Sequence, residues 1–564
     1  MNGSLSQDIS PSPCFLIVED SLQVETPTPQ KNVCLSEEEY TRLKREAAYW
    51  KSQHGRAVGR EKSLKEKLDL SMAQVRDLRK RIFSKKSEKK SGGKKKKSLI
   101  DKKGIRPRGQ QTGSKSHGRT LRPHLPIQNE EIDLTESEKC CSTCGLAYKP
   151  FPGTEDSEIV EIQIKAHIRR VQRKRYTPGC QCRSNPGVIT APPAPRPLPR
   201  NPYGVSVWTE ILLQKYLYSQ PTNQLLQSLE TLGLPISQGS ITGGLKRLSP
   251  LFEPLIEAFH EKQMTQLLFH ADETRWMVFE VVEGKVGYRW YLWVFRSESV
   301  VYYRIADSRA TKVPLEHFGK LTQRRDEQMI ILVCDRYSAY KCLAKQIDII
   351  TLAFCWAHVR RDFLDAATSH PDEEEWMLSW VDDIGNLYHI NKKRVAVWDK
   401  KRNLNNQSSV FLEHHAELQA ALTDMETRRD EYLRQEKPSA PRKKVLTSLK
   451  EHWNGLTVFV DHPQTPMDNN NGENSIRNPV VGRKNYYGSG SEWSSTLAAM
   501  MFTLLQTIKL WGINPHHWLT CFLTACAENG GTPPEDLSNF IPWSMDEEFK
   551  RKFSLPMPPP NDIS

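Results

Sequence analysis

The spacing of apolar residues divides the chain into distinct segments. In residues 37–83 apolar side chains recur at steps of three and four among charged ones, which predicts a long helix. Its narrow apolar stripe consists of Leu64, Leu68, Met72, Val75, Leu78 and Ile82. The stripe suits a coiled coil, and packing within the same chain is the alternative. Gly55 and Gly59 are expected to weaken the first half of this helix, and the polar residues 1–36 are expected to be disordered.

A proline-rich hinge, APPAPRPLPRNP, precedes a second helical segment. Three short helices with glycine and proline turns are compatible with a helix-turn-helix, and equally with a plain helical bundle. From Gln266 the pattern changes to short apolar and aromatic strands, namely QLLFHAD, GYRWYLWVFRS, SVVYYRIAD and MIILVCD. Alternating helix and strand follow, which indicates an α/β layer with a partly antiparallel sheet. Residues 370–465 are charged and helical, and a hydrophobic helix ends the patterned region.

Composition narrows the class of protein. The chain has 564 residues, 38% of them hydrophobic and 9% aromatic, enough to bury cores in roughly three or four domains. No apolar run reaches the length of a membrane span, and the first residues lack the pattern of a secretion signal. The 12 cysteines are clustered, which favours reduced thiols or a metal over a disulfide framework. We therefore expect a cytoplasmic protein without a membrane partner.

The net charge of +13 is concentrated in one segment. Between Arg76 and Arg122 nineteen lysine and arginine residues accompany three acids, and the densest part is a run of four lysines, Lys94, Lys95, Lys96 and Lys97. Such a run cannot bury a core, so residues 84–126 are expected to form an extended linker. Contact with DNA phosphates or with another anionic partner is the functional interpretation, because clustered cations release counterions on binding. A solvated linker is the alternative.

A small cysteine-bearing segment spans residues 127–192. It contains two thiol pairs separated by an alternating, strand-like stretch, Cys141 with Cys144 and Cys180 with Cys182. Two such pairs can form a tetrahedral zinc site, which we expect to be structural. Cys140 or His167 could replace one ligand, and free thiols are the alternative.

Two acids end apolar segments of the predicted sheet. Asp272 and Asp335 are each expected at the C-terminal tip of a strand, where a carboxylate is held by the sheet yet open to solvent. Two divalent cations bound by such oxygens can clamp the attacking and leaving oxygens of a phosphodiester. Glu473 is the candidate third acid, because Asp468 or Asn470 can cap a helix that carries it in the first turns. For any single strand-end aspartate, a turn or cap role is the alternative.

The segments HADET, CDRYSAY, FCWAHVRRDF and DNNNGENSIRNPVVGRKNYYGS, in this order, resemble the insertion sequence 66 family of bacterial transposases. LRKRIFSKKSEKK is similar to the end of that family's leucine-zipper-like segment, and CSTCG with CQC resembles its zinc-binding segment, so the resemblance covers nearly the whole chain. It implies an RNase H-like catalytic core with an acidic triad, whose positions match Asp272, Asp335 and Glu473. It also implies a helical insertion before the last acid.

The resemblance implies metal-dependent phosphoryl transfer on DNA. The three acids would hold two Mg²⁺ (or Mn²⁺) ions per active site, first for cleavage at the element end and then for joining to target DNA. The implied partners are element ends, target DNA, further copies of the chain and accessory proteins of the same element. The alternatives are a non-catalytic DNA-binding protein derived from such an enzyme and an RNase H-like nuclease that does not join strands. The second thiol pair departs from the family pattern, since C-x-C stands where C-x-x-C is common.

Candidate DNA contacts lie near these acids. They are a basic-aromatic patch after Glu473 and a basic pair on a predicted helix, namely Arg483, Lys484, Tyr486, Tyr487, Arg360 and Arg361. The cations could hold phosphates and a tyrosine could stack on an unpaired base. An ordinary helix end and a helix-surface salt bridge are the respective alternatives.

Other polar and aromatic residues near the acids are given less direct roles. Cys355 and His358 resemble a motif found between the second and third acids of several transposase groups, and we expect a structural role near the active site. Asn469 and Asn470 match the family's paired asparagines and could orient Glu473 or touch DNA. Core or interface packing is expected for three tryptophans, Trp276, Trp290 and Trp293.

The expected fold class is therefore multidomain α/β. The expected boundaries are a disordered N-terminus (1–36), a leucine-zipper-like helix (37–83), a basic linker (84–126), a zinc-binding module (127–192), a helical and possible helix-turn-helix region (193–265), the first part of an RNase H-like core (266–369), a helical insertion (370–465), the second part of the core with Glu473 (466–530) and a C-terminal tail (531–564).

Overall fold

A computed structural model describes residues 36–83, 133–135, 139, 143, 146, 147, 149, 165–177, 188–281, 288–323 and 328–554. The chain divides into two compact units, Met1–Ser84 and Lys85–Ser564. Two groups of predicted site residues lie outside the described residues: the four lysines Lys94, Lys95, Lys96 and Lys97, and the cysteines Cys140, Cys141, Cys144, Cys180 and Cys182.

The described part of the first unit is a single helix, α1, Glu37–Phe83. It begins with a reciprocal cap, in which the Ser36 hydroxyl accepts from the backbone N–H of Glu39 and the Glu39 carboxylate accepts from the backbone N–H of Ser36. The helix runs on through Gly55 and Gly59, so the weakening expected at these glycines does not interrupt it. The stripe residues with described side chains are exposed, namely Leu64, Leu68, Met72 and Val75.

The second unit contains a five-stranded mixed sheet and a short antiparallel ribbon. The ribbon pairs β1, Arg175–Tyr176, with β2, Ile189–Thr190. The sheet strands are β3 (Leu268–Met277), β4 (Arg289–Arg296), β5 (Val301–Ala306), β6 (Ile330–Cys334) and β7 (Ile350–Phe354), in the spatial order β5-β4-β3-β6-β7. The first three strands form an antiparallel meander, and β6 and β7 add in parallel beside β3. The predicted partly antiparallel α/β sheet is thus confirmed.

Helices precede, interrupt and follow this sheet. They are α2 (Val205–Tyr216), α3 (Thr222–Thr231), α4 (Gln238–Leu248), α5 (Glu253–Gln263), α6 (Lys312–Phe318), α7 (Ser338–Ala344), α8 (Trp356–Ser369), α9 (Glu374–Ala396), α10 (Ser409–Leu433), α11 (Ala440–Glu451), α12 (Trp453–Asp461), α13 (Asn470–Tyr486), α14 (Glu492–Leu510), α15 (Pro515–Glu528) and α16 (Glu547–Phe553). Short 3₁₀ turns span Ser249–Phe252, Gly319–Gln323, Pro371–Glu373, Leu404–Asn406 and Ser538–Phe540. None of the described helices has the length and apolar character needed to cross a membrane.

Two large hydrophobic cores cover most of the two faces of the sheet, beside a small third cluster formed by Ile331, Val333 and Ala353 of β6 and β7. The first is built with α2–α5 and α13–α16, and the second with α6–α12. Along β3 the side chains alternate between them, with Trp276 in the first core and Phe269 and Ala271 in the second. Trp276, Trp290 and Trp293 are all buried, which confirms their predicted packing role. The helices before the sheet therefore share one core with the helices that follow Glu473.

The end of α13 is tied to the end of β3. Tyr487 adopts a left-handed conformation with φ of 65°, and Gly488 follows with φ of 151°. A Cβ at Gly488 would lie 2.1 Å from the carbonyl oxygen of Met277, so only glycine allows this close approach. The next residue, Ser489, donates its N–H to the same carbonyl at 2.8 Å and accepts from the Trp276 indole at 3.1 Å. These contacts anchor the helix that carries Glu473.

Candidate active site

Asp272 and Asp335 lie on neighbouring strands at the same level. The last pair of the parallel β3–β6 ladder is His270 with Val333, and Asp272 and Asp335 each follow that pair by two residues. The intervening residues Ala271 and Cys334 belong to the second core. Because successive side chains of a strand alternate, both aspartates lie on the opposite face of the sheet.

The prediction that β3 ends at Asp272 is wrong. The strand continues to Met277, because its antiparallel pairing with β4 extends from His270 to Met277. Its parallel pairing with β6 stops at His270. Asp272 therefore lies where β3 and β6 cease to pair, and Asp335 follows Cys334, the last residue of β6, as predicted.

Glu473 lies in the first turn of α13. The residue preceding this helix is Asn469, whereas Asp468 or Asn470 was expected to cap it. The Asp468 carboxylate does accept from the backbone N–H of Asn470 at 3.1 Å. The Asn469 side chain instead contacts β3, with Nδ2 donating to the carbonyl of Ala271 at 2.7 Å. The start of α13 is thus held beside Asp272.

His270 forms a second contact between β3 and the start of α13, and its hydrogen bonds define its protonation state. Because the Asn469 amide nitrogen donates to Ala271, its Oδ1 is the acceptor for His270 Nδ1 at 3.1 Å. On the other side of the ring, Nε2 accepts from the Asn471 amide at 3.3 Å. Both contacts require the neutral imidazole protonated on Nδ1. Burial agrees with this state, because it lowers the pKa of His270 to about 4.

The three acids are electrostatically coupled. Burial, first, and the neighbouring Glu273 carboxylate raise the pKa of Asp272 to about 8, and Asp335 and Glu473 add to the effect. The backbone N–H of Glu273, which donates to Asp272 Oδ1 at 2.9 Å, acts in the opposite direction. Converging carboxylates that repel one another favour either a proton or a bound cation. Their oxygens are ligands that hard divalent cations prefer, so this donor set fits such ions.

Cys355 and His358 lie next to Glu473. The candidate ligand atoms of these three residues are all within 4.8 Å of one another, and His358 Nε2 is 3.9 Å from Glu473 Oε1. The Cys355 sulfur, however, accepts from the backbone N–H of Asn469 at 3.3 Å, and burial raises the pKa of this thiol. A protonated thiol is a poor metal ligand. The contact instead joins the start of α8 to the start of α13.

The structure divides the predicted basic-aromatic patch. Arg483 donates to the Thr274 hydroxyl at 2.9 Å and to the carbonyl of Arg275. Tyr486 packs edge-to-face against Trp276, and the Lys215 ammonium lies 5.1 Å from its ring centroid. The remaining patch residues, Lys484 and Tyr487, face solvent. Of the pair on α8, Arg360 is exposed and Arg361 is partly buried.

The family model "Transposase IS66 family" matches residues 200–496, more than half of the chain. The chain belongs to the IS66 transposase family. The matched range includes Asp272, Asp335 and Glu473 and the residues that contact them. It does not include the lysine run or the cysteine pairs.

Relatives in this family come from Sinorhizobium fredii. The uncharacterized protein y4jD is 23% identical over 454 residues, which cover 78% of this chain and 83% of the relative. The uncharacterized protein y4hP is 22% identical over 441 residues, with 75% and 76% covered. Among solved structures, a Mos1 transposase paired-end complex with left transposon end is 12% identical, covering 47% of this chain and 79% of that chain with a TM-score of 0.13. A pre-cleavage Mos1 transpososome is 14% identical, covering 47% of this chain and 79% of that chain with a TM-score of 0.12. TM-scores this low carry no structural argument.

Three residues around the proposed catalytic acids were not predicted from the sequence, namely His270, Glu273 and Arg309. His270 could have been found, since strand alternation places it on the same face as Asp272. Glu273 is adjacent to Asp272, but its burial on the opposite face gives no sequence signal. Its partner Arg309 lies 36 positions away in the loop between β5 and α6. Such a pairing is visible only in the folded chain.

Proposed function

We propose that this IS66 family member is a DNA transposase with an RNase H-like core that cleaves DNA at the ends of an insertion element and joins the 3′ end to target DNA. Asp272, Asp335 and Glu473 are the proposed catalytic carboxylates. The convergence of these acids from two neighbouring parallel strands and a helix start supports the proposal most strongly. The strand order supports the assignment of an RNase H-like core, because two parallel strands follow an antiparallel meander on its β3 side.

The proposed cofactors are two Mg²⁺ or Mn²⁺ ions per active site. When bound by the three acids, they would activate the attacking oxygen and stabilise the leaving oxygen of a phosphodiester. The chain itself fixes one oxygen of each aspartate by a backbone N–H, from Glu273 to Asp272 at 2.9 Å and from Tyr337 to Asp335 at 3.0 Å. Two positioned carboxylates and a helix-borne third thus form a preorganised site, which lowers the cost of organising the reactants.

The candidate DNA-contact residues differ in their exposure to solvent. Lys484, Tyr487 and Arg360 are exposed and available to phosphates or unpaired bases. Arg483 and Tyr486 already contact the protein, so we assign them a supporting role. The lysine run is proposed to bind DNA phosphates. A structural zinc ion is predicted at Cys141, Cys144, Cys180 and Cys182. Assembly into an oligomer and a requirement for accessory proteins are also predictions.

The decisive experiment is a strand-transfer assay with purified full-length protein. Labelled duplexes made from the DNA that flanks its coding sequence are incubated with a target plasmid and Mg²⁺. Asp335→Asn keeps an acceptor for the Tyr337 N–H but removes the charge, so joined product should fall roughly a hundredfold or more. Asp348→Asn is the matched control, because Asp348 is an exposed acid just before β7. This variant should form as much joined product as wild type.

The other outcomes separate the alternative functions. Cleavage without joined product would favour a nuclease. DNA binding without cleavage, persisting after the neighbouring gene products are added, would favour a non-catalytic DNA-binding protein. Equal activity of Asp335→Asn and wild type would contradict the assignment of the acids.

A further inference from the structure

A fourth carboxylate lies behind the proposed triad. Glu273 follows Asp272 on β3 and points to the opposite face of the sheet, where its side chain is only 2% exposed. Arg309 donates from Nε to Glu273 Oε1 at 2.9 Å, and the buried Tyr340 donates its hydroxyl to Oε2 at 2.6 Å. Both carboxylate oxygens are therefore hydrogen-bonded.

Arg309 also reaches the second proposed catalytic acid through Tyr337. Its guanidinium carbon lies 3.9 Å from the centroid of the Tyr337 ring, a distance typical of a cation–π contact. The Tyr337 hydroxyl donates to the backbone carbonyl of Arg309 at 2.8 Å. The backbone N–H of the same tyrosine donates to Asp335 Oδ1 at 3.0 Å.

These contacts connect the two aspartates by a second route. From Asp272 the route runs through the backbone N–H and the carboxylate of Glu273 to Arg309, and then through Tyr337 to Asp335. The direct pairing of β3 with β6 stops at His270, two residues before Asp272. These contacts therefore link β3 to β6 beyond the point at which the backbone pairing of the two strands ends.

A purely structural ion pair is the alternative explanation. The Glu273 carboxylate is buried, whereas the Arg309 side chain is 41% exposed. Burying that carboxylate costs desolvation free energy, and an apolar side chain of similar size often stabilises a fold as well. A carboxylate in the residue next to Asp272 also adds negative charge beside the three proposed catalytic acids. A charged pair at this place is therefore poorly explained by stability alone. It is explained if the geometry of the two aspartates depends on it.

We propose that Arg309 is a positioning residue which, through Glu273 on one side and Tyr337 on the other, sets the carboxylates of Asp272 and Asp335 for divalent-metal binding. The inference rests on the proposed function, because it assumes that these aspartates bind metal. Supporting residues around metal ligands commonly change metal affinity by tenfold to a hundredfold when removed. Arg309→Met should therefore weaken metal binding by about tenfold.

The test measures Mn²⁺ binding to the full-length protein without DNA, by the electron paramagnetic resonance signal of free Mn²⁺. Thermal unfolding of each variant is followed in parallel. Arg304→Met is the matched control, since Arg304 on β5 forms a solvent-exposed pair with Glu316, and β4 separates β5 from β3. The Mn²⁺ affinity of this variant should equal that of wild type. Unchanged affinity in Arg309→Met, with or without a lower melting temperature, would leave a structural role alone and overturn the inference.

Tyr337→Phe keeps the test decisive if Arg309→Met does not fold. It removes one hydroxyl and its bond to the Arg309 carbonyl, and we expect a smaller loss of affinity, about two- to threefold. Wild-type affinity in this variant would likewise count against positioning. Asp335→Asn distinguishes the two proposals: if it leaves Mn²⁺ binding intact, the metal site itself is wrong. If it abolishes binding while Arg309→Met and Tyr337→Phe do not alter it, only the positioning role fails.

Discussion

The side-chain amide of Asn469 donates a hydrogen bond of 2.7 Å to the backbone carbonyl of Ala271. This bond joins the residue that precedes α13 to the residue that precedes Asp272. The Asn469 oxygen also accepts from His270, so the start of α13 is held against β3 at two points. The position of Glu473 relative to Asp272 depends on this joint.

Replacing Asn469 should therefore affect stability and activity together. Asn469→Ala removes two hydrogen bonds between buried groups, which should lower the free energy of unfolding by about 1–3 kcal/mol and reduce strand transfer. Asn470→Ala is the control, because Asn470 is the exposed neighbour. Thermal unfolding and the strand-transfer assay measure both effects. Equal melting temperatures for the two variants would show that the joint contributes little.

Asp272 should destabilise the metal-free protein at neutral pH. Its pKa is raised from 3.8 to about 8, so the folded state retains a proton that the unfolded chain releases. This acid therefore lowers stability progressively as the pH rises from about 4 to about 8. Asp272→Asn keeps an acceptor for the Glu273 N–H and removes the penalty. We expect the metal-free variant to be more stable than wild type at pH 7, by on the order of 2 kcal/mol.

Two controls accompany this measurement. At pH 3 the metal-free variant and wild type should unfold at similar temperatures, since the wild-type carboxyl is then protonated in the folded state and largely so in the unfolded one. Saturating Mg²⁺ should stabilise wild type more than Asp272→Asn. A variant that is less stable at pH 7 would contradict the raised pKa.

His270 should contribute to stability in the opposite pH direction. Its folded-state pKa of about 4 lies below the ordinary value of 6.5, so between these values the unfolded chain binds a proton that the folded chain does not. Wild type therefore loses stability as the pH falls from 6.5 to 4, by at most about 3 kcal/mol from this residue. His270→Gln should be less stable than wild type at pH 7.5, and the difference should shrink toward pH 4. A difference that does not vary with pH would contradict the neutral state assigned to His270.

Arg483 and Lys484 are adjacent, but their substitutions should have different effects on stability and on DNA binding. Arg483 donates to the Thr274 hydroxyl and the Arg275 carbonyl, so Arg483→Ala should lower the free energy of unfolding by about 1–2 kcal/mol. Lys484 is exposed, so Lys484→Ala should leave the melting temperature unchanged and weaken DNA binding. The salt dependence of that binding should become shallower by about one counterion. A stability loss in Lys484→Ala, or none in Arg483→Ala, would reverse these roles.

Local patterns were sufficient to predict the sheet and its flanking helices. Strands β3 to β6 and the helix α13 carry strong apolar periodicity or clear start signals, and these properties depend on near neighbours in the sequence. The two aspartates were identified because each follows an apolar run. Their alignment was not predictable, since it depends on the register between β3 and β6. Nor was the continuation of β3 to Met277, which arises from its pairing with β4.

The sequence by itself determined the family, the main secondary-structure elements and the candidate acids, because these are written in local order and spacing. Only the tertiary structure showed that Asn469 links α13 to β3 by hydrogen bonds, and that Arg309 contacts both Glu273 and Tyr337. Each of these contacts joins residues far apart in the chain, and hydrogen bonds and ion pairs between such residues leave no periodicity behind. A buried carboxylate such as Glu273 resembles a surface acid in the sequence, and its partners exist only once the strands and loops have folded around it.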